Sequence, residues 1–312
     1  MKDQWHLPRH PWFRPISLSL TIKPGFVLPV FFLIVFLGAM ALGPVLYWGL
    51  SWIAPIPFHR AMDRGLLLSA LAAVGLFGGR IPLGQLWPWT GEAWKQVLLG
   101  LFIAAVSAQA MIGFKAAVDG FALAPCDGKA VAYRILLAVV AAIFAAPIEE
   151  TVFRGFLQRE LIERLGWCAG WIVAAAIFML AHFVKIPVEL DAQPVAGWSG
   201  VTAMGAAFQA LAEGGLLSGK ALNLFLLGLI LGGVYLRSGS LWVNAGLHGG
   251  LILVQLLYSG LVLPAPRHDF IFGGGDIVSS PITSLVFILL GLWLWLFYRH
   301  PSILPETGEN AP

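Results

Sequence analysis

The stretch PIEETVFRG at residues 147–155 places two adjacent carboxylates and an arginine directly after the apolar run 131–146. Only 11% of the 312 residues are Asp, Glu, Lys or Arg, so charges inside an apolar run stand out in this chain. Ionisable groups at membrane depth are costly and usually have a function. The stretch therefore predicts a polar site inside a membrane domain.

The composition of the chain around this stretch is that of a polytopic membrane protein. Hydrophobic residues make up 59% of the chain and the mean hydropathy is +0.83, whereas soluble domains are roughly 45–50% apolar. Apolar runs of about 20 residues can cross a hydrocarbon core about 30 Å thick. They predict an all-α bundle of about eight transmembrane helices, near residues 26–54, 62–79, 95–114, 131–153, 167–186, 221–237, 240–260 and 282–299.

The charge distribution predicts the orientation and excludes one class of partner. With eight spans, 11 of the 19 Lys and Arg residues share a side with both termini, which predicts cytoplasmic termini under the positive-inside rule. The net charge of +3 and the absence of a basic block argue against a nucleic-acid partner. Cys126 and Cys168 fall on opposite sides of the membrane in this topology, so we expect no disulfide between them.

We divide the chain into three parts. Residues 1–25 form a basic, aromatic segment that either lies on the membrane surface or is a plain cytoplasmic tail. Residues 26–300 form one transmembrane domain whose core, with the polar spans, covers about 130–260, and residues 301–312 are a tail. The break at 187–220 could act as a gate, but we take it as a plain solvent loop.

Polar residues inside the spans concentrate in four of the eight. Glu150 lies sixteen residues before a turn at Gly166 and His182 lies sixteen after it, so both are about 24 Å along their helices and at matched depth. His248 is only about 14 Å from its turn at Gly239, so it reaches a similar depth if the charged segment 158–164 projects into water beyond the membrane face. The full set is Glu149, Glu150 and Arg154 in the fourth span, His182 in the fifth, Asn223 in the sixth, and Asn244, His248 and Gln255 in the seventh.

Helical spacing assigns different roles to the two carboxylates. Glu150 and Arg154 are four residues apart, so we expect an ion pair between them. Glu149 points about 100° away and is left free to act as a general base. Pro147 removes a backbone donor and predicts an irregularity in the helix next to both.

The same spacing pairs two further residues with the histidines. Phe178 and His182 share one helix face, and Asn244 and His248 share another. The Asn244 amide could therefore orient the His248 imidazole. Our candidate catalytic residues are Glu149, Glu150, His182 and His248, with Arg154, Phe178 and Asn244 in support.

Two chemistries fit these residue types. In the first, a divalent metal such as zinc, bound by Glu149 or Glu150 with His182 and His248, activates water; Glu150 is our leading carboxylate ligand. In the second, Glu149 and His182 polarise water directly, and His248, with Asn244 as a further candidate, stabilises the oxyanion. Both chemistries predict a hydrolase of peptide bonds in or near the membrane.

The motifs EETVFRG (149–155), Phe178-x-x-x-His182 and His248 resemble those of the CAAX protease and bacteriocin-processing (CPBP) family of intramembrane proteases, which includes the Ras-converting CAAX endopeptidases. The resemblance implies an eight-helix protein with a cavity open to the cytoplasm, in the bacterial cytoplasmic membrane, with metal-dependent or glutamate-based chemistry. The third family motif usually reads His-x-x-x-Asn, but this chain has Ile252 at the last place. Asn244 and Asn223 are the candidates to replace that side chain.

We therefore expect an intramembrane endopeptidase that cleaves a peptide or a membrane-anchored protein within the lipid bilayer. The alternative is a catalytically silent family member that acts as a binding, immunity or adaptor protein, and Ile252 supports it. A proton-coupled transporter ranks last, because the chain shows no internal repeat.

Overall fold

The computed structural model describes residues 24–53, 55–77, 83–118, 122–123, 125, 127–214, 216–263 and 276–297. Within them the chain forms helices α1 Val27–Ser51, α2 Phe58–Phe77, α3 Leu83–Leu86, α4 Ala93–Val118, α5 Gly128–Glu150, α6 Arg159–Leu165, α7 Trp167–Ala181, α8 Ser199–Glu213, α9 Gly219–Ser238, α10 Trp242–Leu261 and α11 Pro281–Phe297. A π-helical segment, Thr151–Gln158, joins α5 to α6, and two-residue strands β1 (Ala122–Leu123) and β2 (Val262–Leu263) pair antiparallel. Most of the predicted N-terminal segment, the tail 301–312 and Cys126 lie outside the described residues.

The fold confirms a helical membrane protein but not the number of spans. Within the described ranges, four helices are long and apolar enough to cross a membrane: Val27–Ser51, Ala93–Ala117, Gly128–Leu165 and Gly219–Ser238. Trp167–Ala181 and Pro281–Leu296 are apolar but shorter. The predicted fifth span falls short because α7 ends just before His182, and α2 carries three charged residues in its first two turns. The prediction of about eight spans is thus not confirmed.

The run from α5 through the π-helical segment to α6 is continuous over 38 residues, roughly 57 Å at 1.5 Å per residue and well beyond one membrane thickness. At the end of this run the side chains of Gln158, Arg159 and Glu160 are buried within the protein. Gln158 Nε2 donates to the carbonyl of Gly232 on α9 at 3.1 Å. This segment is therefore held against the neighbouring helices.

Helix α10 packs between α4 and α5. Glycines allow the close crossing with α4: a Cβ on Gly246 would lie 2.1 Å from the Val97 carbonyl oxygen, and one on Gly100 would lie 2.2 Å from that of Val243. On the other side of the bundle α7 packs against α9, where Trp171 Nε1 donates to the Leu229 carbonyl at 3.0 Å. These contacts bring α5, α7 and α10 together at the site.

The segment 187–220 is not the plain solvent loop that we predicted. It contains α8, which packs against α1 and buries Ala203, Met204 and Ala207. Near the beginning of α8, Gly200 lies so close to α1 that a Cβ on it would be 2.0 Å from the Met40 carbonyl oxygen. The apolar middle of the segment is thus part of the hydrophobic core, since burial of those residues stabilises a helix there.

The same segment also fixes the beginning of α2. Asp191 accepts hydrogen bonds from the His59 backbone N–H at 2.8 Å, and its second oxygen lies 2.6 Å from His59 Nδ1. Burial would raise the pKa of Asp191, but the bonds from His59 outweigh it and lower the pKa. The carboxylate therefore caps α2 from a distant part of the chain.

Candidate active site

The irregularity predicted at Pro147 takes the form of a widened helix just after it. Because Pro147 has no N–H, the carbonyl four residues earlier, on Ile143, loses its helical donor. Thr151 Oγ1 donates to the Pro147 carbonyl at 2.7 Å and accepts from Trp87 Nε1 at 3.2 Å. The π-helical segment begins at Thr151, and such segments in α-helices often mark functional sites.

Glu150 is fully buried and held from three sides. Its Oε1 accepts from Arg154 Nη1 at 3.0 Å and lies 2.8 Å from His248 Nδ1, while its Oε2 accepts from Asn244 Nδ2 at 2.9 Å. The ion pair predicted between Glu150 and Arg154 is therefore present. Both oxygens are engaged, so Glu150 supports its neighbours rather than facing an open space.

Asn244 lies behind this carboxylate, not beside the open face of the site. Its amide nitrogen donates to Glu150 Oε2 at 2.9 Å and to the Leu231 carbonyl at 2.8 Å. Both hydrogens of the amide are thereby used, which corrects the prediction that Asn244 could stabilise an oxyanion. It also orients His248 only indirectly, through Glu150.

The side chains of Glu149, His182 and His248 lie close together in the structure. Glu149 Oε2 lies 3.9 Å from His182 Nε2 and 3.8 Å from His248 Nε2. This oxygen is shielded from solvent and has no hydrogen-bond partner among the residues that the structure describes. The side chain as a whole is 21% exposed and that of His182 is 31% exposed, so the group can be reached from outside.

The hydrogen bonds of the two histidine Nδ1 atoms determine whether the Nε2 atoms, which face Glu149, carry a hydrogen or a lone pair. His182 Nδ1 lies 2.9 Å from the Phe178 carbonyl and His248 Nδ1 lies 2.8 Å from Glu150 Oε1. Both partners are acceptors, so both Nδ1 atoms carry hydrogen. In their neutral forms the two Nε2 atoms then turn lone pairs toward Glu149. Three acceptor atoms that face one point suit either a hydrogen-bond donor such as water or a cation between them.

Phe178 forms the apolar wall of the site. It is fully buried, its ring centroid lies 4.3 Å from Arg154 Cζ, and the ring centroids of His182 and His248 are 4.5 Å and 5.8 Å away. The arginine packs over the ring face, a favourable cation–π arrangement. Phe178 thus links the buried ion pair to both imidazoles, in agreement with the predicted shared face with His182.

The predicted metal ligands are arranged differently from our expectation. The carboxylate opposite both Nε2 atoms belongs to Glu149, whereas Glu150 is bound to the far side of His248. Two ligands of a tetrahedral zinc ion lie about 3.3 Å apart, less than the 3.8–3.9 Å between Glu149 and each imidazole. Across the described ranges, no group of three His, Cys, Asp or Glu side chains has the geometry to hold a metal ion. In this arrangement Glu149, rather than Glu150, is the carboxylate that would share a ligand with His182 and His248.

Two other residues named in the sequence prediction lie away from the group formed by Glu149, His182 and His248. Asn223 donates to the carbonyls of Val278 and Ser280 at 2.7 and 2.9 Å, so it anchors the turn before α11 and cannot replace the missing side chain of the third motif. Ile252 is half-buried one turn beyond His248. Sequence reasoning missed Thr151, although its position four residues after Pro147 could have revealed the bond to that carbonyl.

The apolar helices and the buried site are those of an integral membrane protein. Two carboxylates and two imidazoles lie in contact inside its helix bundle. Residues 131–254 match the family model described as type II CAAX prenyl endopeptidase Rce1-like. This match confirms the resemblance to the CAAX protease family that the sequence predicted. A search of the curated proteins found no match to the chain.

Proposed function

We propose that this chain is an intramembrane endopeptidase of the CAAX-protease type in which Glu149 activates the attacking water. The observation that carries the proposal is the convergence of Glu149 Oε2 on His182 Nε2 and His248 Nε2 at 3.8–3.9 Å. The substrate is a peptide or a membrane-anchored protein that reaches the site within the bilayer. The match of residues 131–254 supports this class of activity.

The mechanism follows from the hydrogen-bonding roles of the three residues. A water molecule between them gives one proton to Glu149 as its oxygen bonds to the scissile carbonyl carbon. His248 takes part in its doubly protonated form: Glu150 holds its Nδ1–H, and its Nε2–H donates to the resulting oxyanion, while neutral His182 orients the water. Protonated Glu149 then gives its proton to the leaving nitrogen as the C–N bond breaks. The ion pair with Arg154 holds Glu150 in place throughout.

The first prediction tests the base. Glu149→Gln keeps the shape of the side chain but removes proton acceptance, so we expect cleavage to fall at least 100-fold, as for loss of a general base. The measurement is hydrolysis of fluorescence-quenched peptides, both farnesylated CAAX peptides and unprenylated transmembrane peptides, by protein in liposomes. Glu189→Gln, an exposed carboxylate on the loop after α7, is the matched control. A fully active Glu149→Gln protein would overturn the proposal.

The second prediction separates the two chemistries that the sequence left open. A mechanism in which Glu149 acts on water without a metal predicts less than stoichiometric zinc, manganese, iron and cobalt in active protein, with cleavage insensitive to chelators. Elemental analysis and activity after dialysis against 1,10-phenanthroline, on the order of 1 mM, measure both. One equivalent of metal whose removal abolishes cleavage, and whose return restores it, would assign the chemistry to a metal instead.

The alternative of a silent binding protein rests on Ile252, which supplies no polar group one turn after His248. Such a protein would bind a partner as tightly with Glu149→Gln as without the change, and wild-type protein would cleave neither kind of peptide.

A further inference from the structure

Gln255 is a polar residue of α10 that the proposed mechanism does not use. Its Oε1 atom is shielded from solvent and has no hydrogen-bond partner in the part of the chain that the structure describes. A buried acceptor without a donor destabilises a protein, because the group has lost its hydrogen bonds to water. A ligand that supplies a donor would remove this cost.

Helix geometry places Gln255 in line with the site. It follows His248 by seven residues, which is two turns to within about 20° and a rise of about 10.5 Å. Helical side chains lean toward the N-terminus of their helix, so the amide reaches back toward His248. Gln255 therefore extends the polar stripe of α10 away from the Gly239 turn, on the face that carries His248.

The packing around α10 loosens along the same stripe. From Val243 to Gly250 nearly every residue is buried, whereas each residue from Leu251 to Gln255 is half-buried. Helix α7 ends at Ala181, immediately before His182, so it does not continue over the His248 face of α10 beyond that level. The less buried part of α10 therefore begins just beyond the level of the site.

We propose that Gln255 binds the main chain of the substrate, its Oε1 accepting a hydrogen bond from a peptide N–H. An extended peptide advances about 3.3 Å per residue, so the bonded N–H lies two to three residues from the scissile bond. Gln255 thereby selects substrates that are extended and have several ordered residues beside the cleaved bond. This inference rests on the proposed endopeptidase function.

A substitution of similar size tests the role with a readout that does not need turnover. Gln255→Met removes the acceptor and keeps most of the volume. Because the acceptor has no donor in the protein, we expect the Tm to rise by about 1–3 °C. In a Glu149→Gln background, which binds without cleaving, we expect the Kd for a labelled farnesylated CAAX peptide to rise about 3- to 10-fold. The matched control is Gln109→Met, on the exposed face of α4.

Peptide length gives the second arm of the test. The peptide is shortened one residue at a time from each end, with an unprenylated transmembrane peptide in parallel. Gln255→Met should raise Kd and, in the active protein, raise KM without changing kcat. Both effects should disappear once one end of the peptide lies within one residue of the scissile bond. A lower Tm, an effect independent of length, or no binding of either probe overturns the inference. If the peptide binds in a way that depends on Gln255 but wild-type protein does not cleave it, the proposed function is overturned and the binding role of Gln255 stands.

Discussion

At the scale of single residues, the adjacent carboxylates Glu149 and Glu150 have different roles in the site. Glu150 is fully buried and bonded to Arg154, His248 and Asn244, whereas the Glu149 oxygen beside the imidazoles has no partner among the described residues. The difference follows from their separation of about 100° around the helix. One carboxylate therefore organises the site, and its neighbour is free to react.

The third prediction concerns the buried ion pair. Arg154→Met leaves the Glu150 carboxylate without its cation, so we expect the free energy of unfolding to fall by about 3–5 kcal/mol. The double variant Glu150→Gln/Arg154→Met removes both charges and should recover a large part of that loss. Thermal unfolding in detergent measures the effect. Equal losses in the single and double variants would show that the two charges do not stabilise one another.

At the scale of elements, close helix crossings bring the three site helices together. The α4–α10 crossing leaves no room for a side chain at Gly246 or Gly100, and the α7–α9 contact is similarly close at Gly228, where a Cβ would lie 3.0 Å from Ala175. Small residues at such crossings let helices pack closely in membranes. The position of His248 thus depends on glycines of α10 that never contact Glu149.

The fourth prediction follows from this crossing. Gly246→Ala places a methyl group against the Val97 backbone, so α10 must move and we expect a loss of about 1–3 kcal/mol in unfolding free energy. Cleavage should fall with it, because His248 moves on the same helix. The control is Gly75→Ala on α2, where a Cβ meets nothing within 4 Å and should be neutral or stabilise by up to about 1 kcal/mol. Equal stability of the two variants would contradict the close crossing.

At the scale of the whole molecule, the helices place the site near one end of α10. His248 is the seventh residue of α10, and Glu150 is the last residue of α5. The turns at Gly166 and Gly239 lie at the same end of the bundle, which the charge distribution predicts to be cytoplasmic. A substrate would then enter from the cytoplasmic side of the bilayer.

The fifth prediction tests that orientation. Cys168 is free and exposed beside the Gly166 turn. In a Cys126→Ser variant, a membrane-impermeant maleimide should label Cys168 in inverted vesicles but not in intact cells. Labelling after detergent treatment shows that the thiol is reactive in both preparations. Labelling of intact cells would place the turn, and with it the termini, on the other side.

The sequence by itself determined the membrane class, the family resemblance and the candidate site residues, because apolar runs, motifs and helical spacing are local properties. Within the described residues each predicted span overlaps a helix, and the Glu150–Arg154 pair is present because four-residue spacing suffices to form it. Tertiary structure decided which carboxylate faces the histidines, where Asn244 and Asn223 donate, and that the segment 187–220 contains a packed helix. Those outcomes depend on contacts between residues far apart in the chain, which spacing along one helix does not specify.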